Sequence, residues 1–112
     1  MIETLKALAE PHRFQIVELL RRGARPVGDL VDELGLNQPQ VSKHLKVLSD
    51  AGVVGVRVDA QRRIYALRPA PVKELGVWVE RYLRTWEQNY QRLDALLEQM
   101  KSKEKKRGRK KR

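Results

Sequence analysis

The sequence predicts a mainly α-helical fold that carries one small β-hairpin. Apolar residues recur with helical spacing over residues 2–50, alternate along residues 54–67, and return to helical spacing from residue 72. With 112 residues, 41% of them hydrophobic, the chain can build one modest core. We therefore expect one domain over residues 1–100. Residues 101–112 contain no apolar side chain and are predicted to form a disordered tail.

Two short helices are predicted at the start of the chain. The first covers residues 2–9, and the second runs from Pro11 to about Arg22. Pro11 suits the first turn of a helix because its missing N–H would have no partner there. Residues 23–26 then connect this helix to the next. The buried face of the second helix is expected to consist of Ile16, Val17, Leu19 and Leu20.

Residues 27–50 have the pattern of a helix-turn-helix, two short helices joined by a tight turn. Gly35 follows the first of them, where a glycine in the left-handed conformation commonly ends a helix. Residues 35–37 are then the turn. In such a motif the second helix enters the major groove of DNA. The buried face of the first helix is expected to consist of Val27, Leu30, Val31 and Leu34.

The second helix of the motif, residues 38–50, is amphipathic. Asn37 can cap its start, and Val41, Leu45 and Leu48 recur at i, i+4 and i+7 as one stripe to bury. The other face offers amide, hydroxyl and ammonium groups, which suit base edges and phosphates. The alternative is a packed helix with a solvated outer face. The predicted DNA contacts are Gln38, Gln40, Ser42, Lys43, His44 and Lys46, with His44 beside the apolar stripe.

A β-hairpin is predicted after Gly52, where the apolar period changes from helical to alternating. Residues 54–58 and 62–68 form its strands, and residues 59–61 form the turn, in which Ala60 stands where a glycine would ease the conformation. Arginines on such a wing can lie against the DNA backbone or enter the minor groove, or they can simply protect a sheet edge from aggregation. The predicted DNA contacts here are Arg57, Arg62 and Arg63.

A long helix is predicted from about Val72 to Met100, after Pro69 and Pro71. Its apolar residues form a near-heptad stripe, and at 1.5 Å per residue the helix exceeds what a domain of this size needs for its own core. We interpret it as the main dimer interface, with the N-terminal helix beside it; a ligand pocket or an intramolecular packing face is the alternative. The predicted interface residues are Leu5, Leu75, Trp78, Val79, Tyr82, Trp86, Tyr90, Leu93 and Leu97.

Positive charge is concentrated in two parts of the chain, whose total net charge is +10. Residues 37–68 hold six basic and two acidic side chains, a net charge of +4, and residues 101–112 hold nine basic and one acidic, a net charge of +8. This distribution suits neutralisation of DNA phosphates. The tail is expected to add phosphate contacts without sequence choice, or else to serve as a solubilising end.

Several function classes are not expected. The absence of cysteine excludes disulfides, thiolate metal sites and a cysteine nucleophile. Neither a catalytic triad pattern nor a phosphate-binding glycine loop is present, so an enzyme is not predicted, and no cofactor is expected. No apolar run approaches the roughly 18 residues of a membrane helix, and the first residues lack a signal-peptide pattern. The expected location is the cytoplasm, with no membrane partner.

The chain resembles the ArsR/SmtB-type winged-helix repressors. The resemblance rests on ALAEPHRFQIVELL (residues 7–20), PVGDLVDELGLNQPQVSKHLKVLSDAGVV (residues 26–54) and RRIYAL (residues 62–67). It implies a winged helix-turn-helix homodimer that binds a partly palindromic operator and blocks transcription. By this analogy residues 38–50 read the major groove and the wing touches the flanking backbone.

The chain departs from the metal-sensing members of that family. Their Cys-x-Cys element corresponds here to Pro26 and Gly28, and residues 72–100 contain no histidine. A metal site built from His12, His44 and nearby carboxylates would be unusual, so no metal is predicted. The sequence is therefore more similar to the subgroup that does not sense metals. Some of its members repress their own operon under the control of a partner protein or a small molecule, so the inducer is left open here.

The sequence thus predicts a homodimeric, sequence-specific regulator that binds double-stranded DNA and acts as a repressor; whether it controls its own operon is left open. An architectural protein that binds DNA broadly through its basic tail is the main alternative, because a dense positive charge gives affinity without sequence preference. A protein-interaction module is less favoured, since the centre of a protein interface is usually depleted in lysine. RNA binding is disfavoured because aromatic platforms are confined to the terminal helix.

Overall fold

The computed structural model describes the backbone of residues 1–110 and the side chains of residues 1–105. Five helices and three strands follow one another along the chain. The elements are α1 (Ile2–Leu8), α2 (Pro11–Leu20), β1 (Arg25–Pro26), α3 (Val27–Leu34), α4 (Gln38–Asp50), β2 (Val54–Asp59), β3 (Arg62–Leu67) and α5 (Pro69–Lys110).

The chain divides into two compact units, one of residues Met1–Leu75 and a second that begins at Gly76. The first unit holds α1 to α4, the three strands and the first turns of α5, and the second consists of the remainder of α5. Within residues 1–110, no helix is both long enough and apolar enough to cross a membrane.

The core of the first unit forms around α4. Val41, Leu45 and Leu48 are each at most 1% exposed, as their i, i+4, i+7 spacing predicts. Ile16 of α2 and Leu30 of α3 are completely buried in the same cluster. Burying one side of α4 in this way fixes its opposite side toward solvent, so the core determines which residues of the helix a ligand can reach.

The turn between α3 and α4 has the geometry that the glycine predicts. Gly35 adopts φ 66° and ψ 22°, and its backbone N–H donates to the Val31 carbonyl oxygen at 3.0 Å. A side chain at this position would be strained in the left-handed region. The helix-turn-helix predicted for residues 27–50 is therefore confirmed, with α4 spanning the predicted residues 38–50.

The strands form an antiparallel sheet in the order β1-β3-β2, so the predicted hairpin gains a third strand. Arg25 pairs with Tyr65 and Pro26 pairs with Ile64. From the sequence these two residues are predicted to be a plain connection, because a two-residue strand is too short to show alternation. In the hairpin itself Asp59 pairs with Arg62, so the turn consists of Ala60 and Gln61 and not of the three predicted residues 59–61.

The long terminal helix is longer than predicted at both ends, because it covers Pro69–Lys110 and not residues 72–100. Prolines are tolerated in a first helical turn, and this accounts for the earlier start. Residues 101–110 continue the helix, where disorder was predicted. Lysine, arginine and glutamate are good helix formers, and adding turns to a formed helix requires no new nucleus. Residues 111 and 112 of the predicted tail lie outside the described residues.

Candidate nucleic-acid interface

The start of α4 is closed by a reciprocal pair of hydrogen bonds between Asn37 and Gln40. The Gln40 backbone N–H donates to Asn37 Oδ1 at 2.9 Å, and the Asn37 backbone N–H donates to Gln40 Oε1 at 3.1 Å. This arrangement is a capping box, which satisfies two backbone donors that a helix start otherwise leaves free. The Asn37 cap is predicted from the sequence, whereas the reciprocal hydrogen bond to the Gln40 side chain is not, although glutamine three residues after a capping residue is the recognised pattern.

The polar face of α4 is open to solvent. The side chains of this face lie opposite the buried stripe, and no carboxylate occurs on α4 before Asp50. Lys46 lies 3.8 Å from Asp50 one turn later, an exposed pair that is easily exchanged for a phosphate contact. Five of the predicted contact residues share this exposure: Gln38, Gln40, Ser42, Lys43 and Lys46.

His44 does not share the exposure of those five residues. Its side chain is only 21% exposed, and its Nδ1 lies 3.6 Å from an oxygen of Glu10, the residue that precedes α2. Its ring is also 5.4 Å from the ring of His12, measured between centroids. His44 is therefore directed toward the start of α2. Sequence spacing gave only its position beside the apolar stripe, because its partners are more than thirty residues away.

Glu10 is the residue that organises the start of α2. Its Oε2 accepts a hydrogen bond from the Arg13 backbone N–H at 2.8 Å, and its Oε1 lies 3.1 Å from His12 Nδ1. Burial acts to raise the pKa of the Glu10 carboxyl, but the Arg13 hydrogen bond and the nearby His44 and His12 outweigh it, so the pKa is lowered from 4.5. The negative charge also suits the N-terminus of a helix.

Arg13 connects α1 to α2. Its Nε donates to the Ala7 carbonyl oxygen at 2.7 Å, and its Nη2 donates to the Lys6 carbonyl oxygen at 3.4 Å. These carbonyls belong to the last turn of α1, which has no further helical turn to pair with. This role of Arg13 is not predicted from the sequence, because a single arginine beside a helix start carries no pattern that reveals its partner.

The wing carries its predicted contact residues on solvent-exposed positions. Arg57, Arg62 and Arg63 are all exposed. Across the hairpin, Arg62 is opposite Asp59, whereas Arg63 is opposite Val58. The structure also brings the wing close to the start of α4, because Gln38, Arg62 and Arg63 line one surface cleft of about 430 Å³. The start of α4 and the wing thus border the same cleft, which Pro26, Val27 and Asp29 also line.

The second unit exposes a long row of apolar side chains along α5. Trp78, Tyr82 and Trp86 form a ladder one turn apart, with ring centroids separated by 5.7 and 6.0 Å. The other predicted interface residues of this unit are also exposed: Val79, Tyr90, Leu93 and Leu97. Two predicted interface residues lie in the first unit, where Leu5 is exposed and Leu75 is half-buried.

The helix pair α3–α4, with the hairpin β2–β3 directly after it, defines a winged helix-turn-helix protein. Known proteins share these features. Residues 10–56 match the family model of the bacterial regulatory proteins of the ArsR family. A transcriptional regulator of Mycobacterium tuberculosis, Rv2034, is 40% identical over 77 residues, which cover 69% of this chain and 72% of the relative. The chain therefore belongs to the ArsR family, and the resemblance noted from the sequence is confirmed.

A solved structure shows the same fold. It is the homodimeric winged helix-turn-helix DNA-binding domain of Mb0332 from Mycobacterium bovis, which superposes with a TM-score of 0.62 at 30% identity. The match covers 73% of this chain and 76% of that domain. A mercury resistance operon repressor of Streptomyces lividans is 36% identical over 70 residues, 62% of this chain. The match to that repressor spans only 56% of its length.

Proposed function

We propose that the protein is a homodimeric, sequence-specific transcriptional regulator that acts as a repressor on a partly palindromic operator. The observation that carries this proposal is the polar face of α4, which is exposed, capped at its start and free of carboxylates from Gln38 to Ser49. A helix with these properties can approach the phosphates and base edges of the major groove without charge repulsion. Membership of a family of regulatory proteins supports it.

Direct base reading is assigned to the polar side chains of α4 and phosphate contact to the arginines of the wing. Gln40 and Ser42 offer hydrogen-bonding groups to base edges, and Lys43 and Lys46 offer positive charge to O6 and N7 of guanine or to phosphates. Arg62 and Arg63, which share a cleft with Gln38, lie where the flanking backbone or minor groove would be reached. Because His44 is turned toward Glu10, we assign it at most a contact with the DNA backbone.

Dimerisation is assigned to the apolar face of α5. A row of three neighbouring aromatic rings together with exposed valine and leucine side chains is unusual on a monomer surface and typical of an interface core. The homodimeric state of the Mb0332 domain supports this assignment. In such a dimer the two α4 helices should lie about 34–36 Å apart, one turn of B-DNA, or a multiple of that distance.

Regulation by an inducer, a protein or a small molecule, is part of the proposal, but its chemistry is left open. We do not propose a role in mercury resistance for this chain, although one relative is named as a repressor of a mercury resistance operon. Soft metal ions prefer cysteine thiolates as ligands, and the sequence contains no cysteine. A DNA-bound regulator is placed in the cytoplasm, without a catalytic role and without a membrane partner.

A second candidate function is architectural binding to DNA of any sequence. The observation that favours it is the net charge of +8 in residues 101–112, which gives affinity for phosphates but no base recognition. The two functions differ in what removal of the tail does, because a specific regulator keeps its preference without the tail and an architectural protein loses most of its affinity.

The deciding experiment is selection of duplexes from a randomised pool by the full chain, followed by fluorescence-anisotropy titrations of the selected and a scrambled duplex. A chain of residues 1–100 is measured beside it between about 50 and 200 mM salt. We expect about a thousandfold preference for the selected duplex in both chains. Equal affinities for both duplexes, with tight binding only in the full chain, would establish the architectural function instead.

A further inference from the structure

Three potential metal ligands from two distant parts of the chain meet at the start of α2. Glu10 and His12 flank Pro11, and His44 comes from the middle of α4. Each offers one ligand atom, and all three atoms lie within 4.8 Å of one another. From this convergence we propose that Glu10, His12 and His44 form a binding site for one divalent cation of the zinc class. The site uses none of the five exposed contact residues of α4, although His44 is itself among the DNA contacts predicted from the sequence.

The distances are close to those of a coordination sphere. Bonds of about 2.0–2.1 Å in a tetrahedral zinc site place neighbouring donor atoms about 3.3 Å apart. The two oxygens of Glu10 already lie 3.1 Å from His12 Nδ1 and 3.6 Å from His44 Nδ1. A cation therefore needs the imidazoles to approach each other by at most about 1.5 Å, which rotation of the two side chains can supply.

The donor set has the chemistry of a three-ligand zinc site. Two imidazole nitrogens and one carboxylate oxygen suit Zn²⁺, and a fourth position stays open to water or a fourth ligand. The Arg13 backbone N–H, which donates to Glu10 Oε2 at 2.8 Å, holds the carboxylate in place from behind. Such outer contacts orient the ligand and reduce the freedom that is lost on binding.

The site is also reachable from solvent. The His12 side chain is 43% exposed, and those of Glu10 and His44 are 28% and 21% exposed, so the cluster is partly open to solvent. The guanidinium of Arg13 is turned away toward the carbonyl oxygens of Ala7 and Lys6. A cation can therefore enter from solvent and replace the histidine contacts that Glu10 makes without it.

A cation held in this way would join the start of α2 to the middle of α4. The three ligands come together only in the folded chain, so binding must raise the temperature of unfolding, by an amount that grows with the logarithm of the free cation concentration once this exceeds the Kd. The exposed contact residues of α4 are not among the ligands. The cation would thus fix the orientation of α4 from its covered side and leave its polar face free.

The test uses the full chain, stripped of metal with a chelator, and isothermal titration with Zn²⁺ at neutral pH. His12→Gln removes a ligand at a partly exposed position, and His44→Gln removes the ligand on α4. Glu33→Gln, an exposed carboxylate of α3 outside the cluster, is the matched control. Thermal unfolding monitored by circular dichroism without metal establishes that each variant is folded. Co²⁺ serves as a spectroscopic probe of the ligand geometry.

We expect one Zn²⁺ per chain, an affinity at least about 10-fold weaker in each histidine variant, and no change in Glu33→Gln. Zn²⁺ should raise the unfolding temperature of the wild type but not of His12→Gln. Co²⁺ should give the intense visible bands of a four-coordinate site in the wild type and lose them in His12→Gln. Equal Zn²⁺ affinity in the wild type and His12→Gln, or Co²⁺ spectra of a fully hydrated ion, would overturn the site.

Discussion

Asn37 and Gln40 hold each other in place at the start of α4, and one of the two belongs to the proposed DNA-reading surface. Gln40 Oε1 accepts a hydrogen bond from the Asn37 backbone N–H at 3.1 Å, while Asn37 Oδ1 accepts one from the Gln40 backbone N–H at 2.9 Å. The amide nitrogen of Gln40 and the second lone pair of its Oε1 are the parts left to reach a base. A bidentate contact with adenine would therefore use both groups, whereas a single donated hydrogen bond would use the amide nitrogen alone.

The first prediction concerns the cap alone. Asn37→Ala removes the acceptor for the Gln40 backbone N–H but leaves the Gln40 side chain on the surface. We expect a loss of about 0.5–2 kcal/mol in the free energy of unfolding, as for other capping residues. Urea denaturation followed by circular dichroism measures it. Ser49→Ala, at an exposed position near the other end of α4, is the control and should change stability by less than about 0.5 kcal/mol.

The second prediction separates the cap from DNA binding. Glutamate satisfies a capping box as glutamine does, and its charge suits a helix N-terminus, so Gln40→Glu should keep the stability of the wild type. The same carboxylate would face the phosphates and should weaken binding to every duplex. Gln40→Ala should instead lose part of the stability and about 1–3 kcal/mol of base preference. Unchanged duplex affinity in Gln40→Glu would place Gln40 outside the interface.

The third prediction concerns the turn of the wing. Ala60 has φ 57°, a left-handed conformation that is strained for a residue with a Cβ. Ala60→Gly should therefore raise the free energy of unfolding, by up to about 1 kcal/mol, and leave the register of the hairpin unchanged. Ala70→Gly, an exposed position in the first turns of α5, should act in the opposite direction. Thermal unfolding of both variants measures the difference. If both substitutions stabilised the protein, the gain from Ala60→Gly could not be attributed to relief of strain at Ala60.

The fourth prediction follows from the ionisation of Glu10. Its pKa is lowered in the folded protein from an ordinary value of 4.5, so its contribution to stability is present above that value and is lost as the pH falls through the lower, folded value. Glu10→Gln should reduce stability at neutral pH and make acid unfolding less steep. Glu33→Gln should leave the pH dependence of the free energy of unfolding in the acid range unchanged. Urea denaturation at several pH values from neutral into the acid range measures both variants; identical pH slopes would contradict the assignment.

Sequence patterns predicted those features of the molecule that depend on local spacing. The buried stripe of α4 and the glycine that ends α3 were predicted correctly. Helical periodicity and the left-handed conformation both depend on the types of residues that are close together in the sequence. The contact of His44 with Glu10 could not be found, since it depends on how α2 crosses α4. The two-residue strand β1 was missed because it is defined by its partner β3 and not by its own pattern.

The secondary structure at the end of the terminal helix could not be predicted from composition, for a different reason. Residues 101–112 lack apolar side chains, and this correctly excludes packing into a core but says little about helicity. The helix continues through residues 101–110, since lysine and arginine extend an existing helix at little cost. Composition indicates whether a segment can be buried, whereas its secondary structure depends on what precedes it.

The last prediction concerns the apolar face of α5. Trp86 lies one turn after Tyr82 in the aromatic ladder and is 55% exposed in the single chain, so a second copy has to cover it if the dimer forms there. Trp86→Glu should weaken self-association strongly, because an interface core tolerates a carboxylate poorly. Gln88→Glu introduces the same charge about 200° around the helix and should leave the dimer intact. Sedimentation equilibrium measures both. A dimer equally stable in both variants would show that α5 does not form the interface through this face, and the spacing proposed for the two α4 helices would then have no structural basis.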